Sequence, residues 1–250
     1  VSKALLKVDG LIKRFGGLVA TNNLSLEVVE GELHALIGPN GAGKTTFISQ
    51  IAGELHQDSG TIHFGDAEIS AWKTPERVQN GLARSFQITQ LLPDFTALDN
   101  VALAVQVRRG HSYQFFIDAR RRTDIREEAR SHLDRIGLGD RANIVVSELS
   151  HGEQKQLELA IALATRPRML LLDEPMAGLG TVECARMIDL LKALKKEVTI
   201  LLVEHDMDAV FALADRISVL VNGERIATGS ADDIRSNEAV RVAYLGEGDA

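Results

Sequence analysis

Nine residues, Gly38-Pro39-Asn40-Gly41-Ala42-Gly43-Lys44-Thr45-Thr46, stand directly behind the apolar run Leu33-His34-Ala35-Leu36-Ile37 and limit the possible folds more than any other segment. A short apolar run reads as a buried strand, and the residues after Lys44 read as a helix. The spacing between them, Gly, four residues, then Gly-Lys-Thr, is that of a P-loop. Gly41 and Gly43 lack a Cβ, so the backbone can curl with its N–H groups pointing inward toward phosphate oxygens. The helix that follows adds the positive end of its dipole to the same site. Lys44 is expected to reach the β- and γ-phosphates, and the Thr45 hydroxyl to ligate Mg²⁺. Glycine-rich turns before helices also occur without a ligand; the strand before and the helix after favour the phosphate reading.

Composition narrows the alternatives. A chain of 250 residues with 45% apolar content has enough material for a real core. A net charge of −7 argues against broad electrostatic adhesion to nucleic acid. Val1-Ser2-Lys3-Ala4-Leu5 opens no secretory signal, and the apolar stretches 169–172 and 200–203 are far shorter than the roughly 20 residues needed to cross a bilayer. The single cysteine, Cys184, sits among helix formers and is expected to be structural, in a reducing compartment.

The pattern along the chain predicts an α/β fold. Leu5 to Val8, a turn at Asp9-Gly10, Leu11 to Arg14, and the alternating Leu24, Leu26 and Val28 read as strands, with another at residues 60–65. These make the early sheet partly antiparallel. From Gln87 to Ser147 the composition turns charged, and Ile125, Ala129, Leu133 and Ile136 recur at helical spacing, which predicts an inserted helical subdomain. Arg120-Arg121-Arg122 reads as a solvated helix face, with contact to anionic lipid as the alternative. Gly137-Leu138-Gly139 is a helix stop. Beyond it, helices at 153–165, 182–196 and 206–214 alternate with strands at 169–172 and 198–203, and Asn222-Gly223 joins a final hairpin. A mostly parallel sheet flanked by helices follows.

Several residues near strand ends can carry chemistry. Asp173-Glu174 ends the apolar run 169–172, at the sheet edge where open α/β sheets bind ligands. Asp173 is expected to hold Mg²⁺ through water and Glu174 to polarise the attacking water, the alternative being a loop start that caps the next helix. His205, in Glu204-His205-Asp206, follows another strand and can hydrogen-bond the γ-phosphate or the water, although a lone histidine there is often incidental. Gln87 can accept from a metal-bound water and donate to a phosphate, or be a surface residue. In Leu149-Ser150-His151-Gly152-Glu153-Gln154, Ser150 and the amides beside Gly152 can face an anion, while Ser150 and Glu153 also form a capping box.

Residues 149–154 resemble the signature sequence of the ABC ATPase family and stand the usual short distance before Asp173-Glu174. The resemblance runs over essentially the whole chain, with Phe15, the P-loop, Gln87, the signature, the acidic strand end and His205 in order. It implies a single ABC ATPase domain over 1–250. Residues 1–86 and 167–250 would form a P-loop NTPase core with a mostly parallel sheet and an N-terminal antiparallel β subdomain, and 87–166 a helical subdomain carrying the signature. It implies ATP and Mg²⁺ as cofactors, with Phe15 stacking on adenine and Gly38, Pro39, Asn40, Gly41, Ala42, Gly43, Lys44, Thr45 and Thr46 holding phosphate. Lys44, Gln87, Glu174 and His205 would be catalytic, and Thr45, Gln87 and Asp173 would serve the metal. Ser150, Gly152 and Glu153 would close on ATP held by a second ATPase subunit, identical or related.

Two departures stand out: His151 replaces a small glycine, and Ala177-Gly178-Leu179-Gly180 lacks the acidic end usual in that loop. Residues 13–21, 92–101 and 237–246 resemble the ATP-binding subunits of branched-chain amino acid importers. That implies a peripheral protein at the cytoplasmic face of the cell membrane, powering a separate permease that docks near Leu91, Leu92, Pro93 and Phe95, with no nucleic-acid partner. Rival readings are an ABC ATPase for urea import or lipopolysaccharide extraction, a soluble ABC protein without a permease, and a P-loop kinase.

Overall fold

The structure, a computed structural model, describes residues 3–85, 91–110 and 123–245. Two strands, β1 (Ala4–Phe15) and β2 (Leu18–Val29), pair antiparallel; β1 also pairs antiparallel with β4 (Ser59–Phe64), which pairs with β5 (Ala67–Glu68). The turn expected at Asp9-Gly10 is instead a bulge within one continuous strand. The register slips between Val8 and Leu11, Gly10 takes φ 60°, and its N–H is satisfied 2.9 Å away by Ser25 Oγ.

The second sheet holds six strands among the described residues, in the order β10, β9, β3, β8, β7, β6. These are β3 (Leu33–Ile37), β6 (Leu82–Arg84), β7 (Met169–Asp173), β8 (Thr199–Val203), β9 (Arg216–Val221) and β10 (Glu224–Gly229). All pairs are parallel except β9 with β10, joined at Asn222-Gly223, where both residues have positive φ as a two-residue hairpin demands. β3, β7 and β8 are buried at every position, as parallel strands covered on both faces must be.

Alternation along β7 shows what covers them. Met169 and Leu171 join Phe47, Ile48 and Ile51 of α1 (Lys44–Ala52) and the antiparallel sheet. Leu170 and Leu172 join a core built with α3 (Ala97–Arg108), α4 (Thr123–Arg135), α5 (His151–Ala164) and α6 (Thr181–Leu194). Ile125, Ala129, Leu133 and Ile136 are buried in that core, as their spacing predicts. A third cluster sets α7 (Met207–Leu213), α8 (Ala231–Ser236) and Val240 of α9 (Glu238–Leu245) against Ile217 and Val219. Among the described residues, β5, α2 (Thr74–Gln79), β6, α8 and α9 are short elements with no counterpart in the sequence pattern.

Candidate functional site

β3, β8 and β7 are neighbours with matched ends: Leu36 pairs with Val203, and Val203 with Asp173. Three loops therefore leave one edge of the sheet side by side: residues 38–43 after β3, 174–180 after β7 and 204–206 after β8. The motifs at those strand ends are brought together by parallel register.

The loop after β3 is held open by its backbone. Gly43 has φ 100°, and a Cβ there would lie 2.2 Å from the Ala20 carbonyl oxygen of β2. Gly41, at φ 78°, has open space around it, so only its left-handed conformation requires glycine. The hairpin tip braces the loop from the other side, Gly223 N–H donating to Ala42 O at 2.9 Å and Asn22 N–H to Gly223 O at 2.9 Å. α1 begins at Lys44 with no side-chain cap and no acidic residue in its first turn, which leaves its first N–H groups for an anion. Lys44 is buried, and its Nζ donates to Gly38 O at 2.7 Å and Pro39 O at 3.0 Å. Burial lowers its pKa, while the nearby Glu174 and Asp173 charges pull it back up.

Asp173 is only 1% exposed. Its Oδ2 accepts from Arg84 Nη2 at 2.8 Å, whereas its Oδ1 is buried without a hydrogen-bond partner. An orphaned carboxylate oxygen beside a lysine-bearing phosphate loop fits a hydrated divalent cation held chiefly by phosphate. Burial pushes the Asp173 pKa up, opposed by Arg84 and reinforced by Glu174. Glu174 occupies φ 50°, unusual outside glycine, and its N–H donates to Val203 O at 2.9 Å. This backbone kink turns the side chain toward β8, where Glu174 Oε1 lies 3.6 Å from His205 Nδ1.

Glu204 carries no sequence signal, yet it ties the two loops together. Buried at 1% exposure, it accepts from Met176 N–H at 2.9 Å and from His205 N–H at 3.0 Å. Arg84 is equally silent, and Gly223 signals only its own hairpin, since each acts on residues far away in the chain. Among the described residues no group of three or more His, Cys, Asp or Glu could hold a metal ion, so a metal here would rely on hydroxyl, carboxylate and phosphate together.

The other predicted residues lie on separate surfaces. Phe15 ends β1; the residue is 48% exposed, and Lys13 Nζ lies 5.8 Å from the ring centre. Ser150 caps α5, its Oγ accepting from Glu153 N–H at 3.2 Å while Ser150 N–H donates to Glu153 Oε2 at 2.8 Å. Glu153 Oε1 lies 2.9 Å from Arg141 Nε, an ion pair outside the capping box. Ser150, Gly152, Leu179, Glu183 and Arg186 line a cavity of about 230 Å³ to which no residue of 38–46 contributes. His151 leans on the loop after β7, with Nε2 3.4 Å from Ala177 O. At Gly180 the N–H donates to Glu183 Oε2 at 3.1 Å, a capping bond at the start of α6. Gln87 and Arg120 to Arg122 lie outside the described residues, and no described helix is long and apolar enough to cross a membrane.

Known proteins are similar to this chain over most of its length. Residues 21–177 match the ABC transporter family, and residues 224–250 match the branched-chain amino acid ATP-binding cassette transporter family. The high-affinity branched-chain amino acid transport ATP-binding protein LivG of Salmonella typhimurium is 40% identical over 99% of this chain and 100% of its own. BraF of Pseudomonas aeruginosa, of the same description, is 37% identical over the same shares. The ADP conformation of MJ1267, an ATP-binding cassette of an ABC transporter, superposes with a TM-score of 0.86 at 30% identity, over 98% of this chain and 100% of that one. A dimeric ABC transporter cassette, MJ0796, matches at a TM-score of 0.78 and 26% identity, over 90% and 98%. This chain belongs to the ABC transporter family, as one of its nucleotide-binding ATPase cassettes.

Proposed function

We propose that this chain is the ATP-hydrolysing subunit of an importer for branched-chain or other hydrophobic amino acids, peripheral on the cytoplasmic face of the membrane. The observation that carries the hydrolytic part is the alignment of Lys44, Asp173, Glu174 and His205 at three adjacent parallel strand ends. The cargo class rests on the names of the full-length relatives and on the match of residues 224–250.

In this reading residues 1–86 and 167–250 form the nucleotide core and 87–166 the helical subdomain. Residues 38–46 cradle the phosphates through backbone N–H groups, with Lys44 turning from its own loop carbonyls to the β- and γ-phosphates. Thr45 and Asp173, with Gln87, would hold magnesium, which would supply charge neutralisation at the phosphates. Glu174 accepts a hydrogen bond from the attacking water and so orients it. His205, 3.6 Å from Glu174, donates to the phosphate oxygen that gains charge. Phe15 offers an exposed ring face to adenine.

Ser150 and the amides near Gly152 act on nucleotide held by a second ATPase subunit, while Glu153 shapes that loop through its cap and Arg141. Leu92 and Phe95, both 41% exposed, offer an apolar surface to a permease. The experiment is Glu174→Gln: nucleotide binding stays at the wild-type level, and steady-state hydrolysis falls by about 100-fold or more, in the range expected for general-base loss. Undiminished turnover would remove Glu174 from the reaction.

A further inference from the structure

Arg84, the last residue of β6, reaches three elements with one guanidinium. Nη1 donates to Ser49 Oγ at 2.9 Å and meets Glu54 Oε2; Nη2 donates to Asp173 Oδ2 at 2.8 Å. The Arg84 side chain is 8% exposed and the Asp173 side chain fully buried. Ser49 belongs to α1, the helix that opens with Lys44 and Thr45, and Glu54 lies just past its end. One rigid fork thus spans the P-loop helix and the end of β7.

We propose that Arg84 is a positioning residue for the metal: it clamps Asp173 by Oδ2, leaves Oδ1 for the metal's coordination sphere, and fixes Asp173 against the helix that carries Thr45. The observation behind it is the asymmetry of the carboxylate, one oxygen paired with Arg84 and the other buried and unpartnered. A carboxylate free to rotate would present either oxygen, and a buried one without a cation would be costly to keep ionised. Arg84 prevents both. A lysine has one ammonium and no planar fork, so it cannot hold Ser49, Glu54 and Asp173 in this geometry. The inference rests on Asp173 serving the metal, so its test separates the two.

The test titrates Mn²⁺ into ADP-saturated protein, read by electron paramagnetic resonance, for the wild type, Arg84→Lys, Arg84→Met and Asp173→Asn. Metal-free ADP binding, melting temperature and the kcat and KM of ATP hydrolysis are measured beside it. Arg84→Met is expected to weaken Mn²⁺ binding by about 10- to 100-fold, the usual effect of removing a group that orients a metal ligand, with Arg84→Lys in between. Metal-free ADP binding stays at the wild-type level, and kcat falls while KM for ATP at saturating Mg²⁺ does not rise. If Asp173→Asn weakens Mn²⁺ binding and both Arg84 variants bind it like the wild type, the positioning role is overturned. It is also overturned if Arg84→Met loses metal-free ADP binding as severely as Mn²⁺ binding. If Asp173→Asn itself binds Mn²⁺ normally, the metal role of Asp173 fails and this inference with it. Should Arg84→Met not fold, Arg84→Lys decides: wild-type Mn²⁺ affinity overturns the proposal, and weakened affinity supports it.

Discussion

His34 is a buried titrating group at the end of β3 away from the phosphate loop. It is 1% exposed; its Nε2 lies 2.9 Å from Ser218 Oγ, and its Nδ1 receives Arg216 Nε at 3.3 Å and lies 3.1 Å from Glu32 Oε1. Burial lowers its pKa below the ordinary 6.5, and the pull of Glu32 in the other direction does not overcome it. As pH falls below 6.5 the unfolded chain takes up a proton that the folded chain refuses. Stability is therefore lost on acidification until folded His34 also protonates. Urea midpoints between about pH 7.5 and 5.5 should fall more steeply for the wild type than for His34→Gln, because only the former carries this linkage. Parallel slopes would mean that His34 titrates alike in both states. Asp173, paired with Arg84, likewise differs from its neighbour Glu174, which faces His205.

At the scale of elements, the P-loop helix α1 has only nine residues and depends on its neighbours. Its last carbonyls are capped by Arg77 of α2, which is 2% exposed and donates to Gln50 O at 2.7 Å, Ile51 O at 2.6 Å and Trp72 O at 3.0 Å. Burial pushes the Arg77 pKa down to about 10, so the group stays charged at neutral pH, where a cation at a helix C-terminus is favourable. Arg77→Met removes the Arg77 donor from Ile51 O and Trp72 O, leaves Gln50 O with only the Gly53 N–H, and should cost about 2–4 kcal/mol in chemical unfolding. A loss under about 0.5 kcal/mol, the range of ordinary surface substitutions, would show that α1 does not need this cap.

Elements such as α2 and β6 were invisible in the sequence for a physical reason. Six and three residues are too few to set a period, and what anchors them includes bonds from Arg77 to Ile51, 26 positions away, and from Arg84 to Asp173, 89 positions away. The P-loop, Asp173-Glu174, His205 and the Ser150 cap were legible because each is a contiguous stretch whose chemistry is local. The bulge at Gly10 lay between these cases: the glycine was visible, but whether it turned the chain or kinked a strand depended on pairing with β2 and β4.

Across the whole molecule, the groups proposed to grip nucleotide divide into two surfaces. Lys44, Asp173, Glu174 and His205 share one sheet edge, while Ser150 and Gly152 line a cavity to which no residue of 38–46 contributes. One copy thus holds two half-sites in the proposed reading, and nucleotide favours the closed pair only because it touches both surfaces there. The most direct measurement is the solution mass of the Glu174→Gln variant, by light scattering, with and without MgATP. A monomer is expected without nucleotide and a dimer with MgATP, the dimer lost again when Ser150→Arg is added. A MgATP-bound Glu174→Gln protein that remains monomeric under conditions where it retains nucleotide would contradict it.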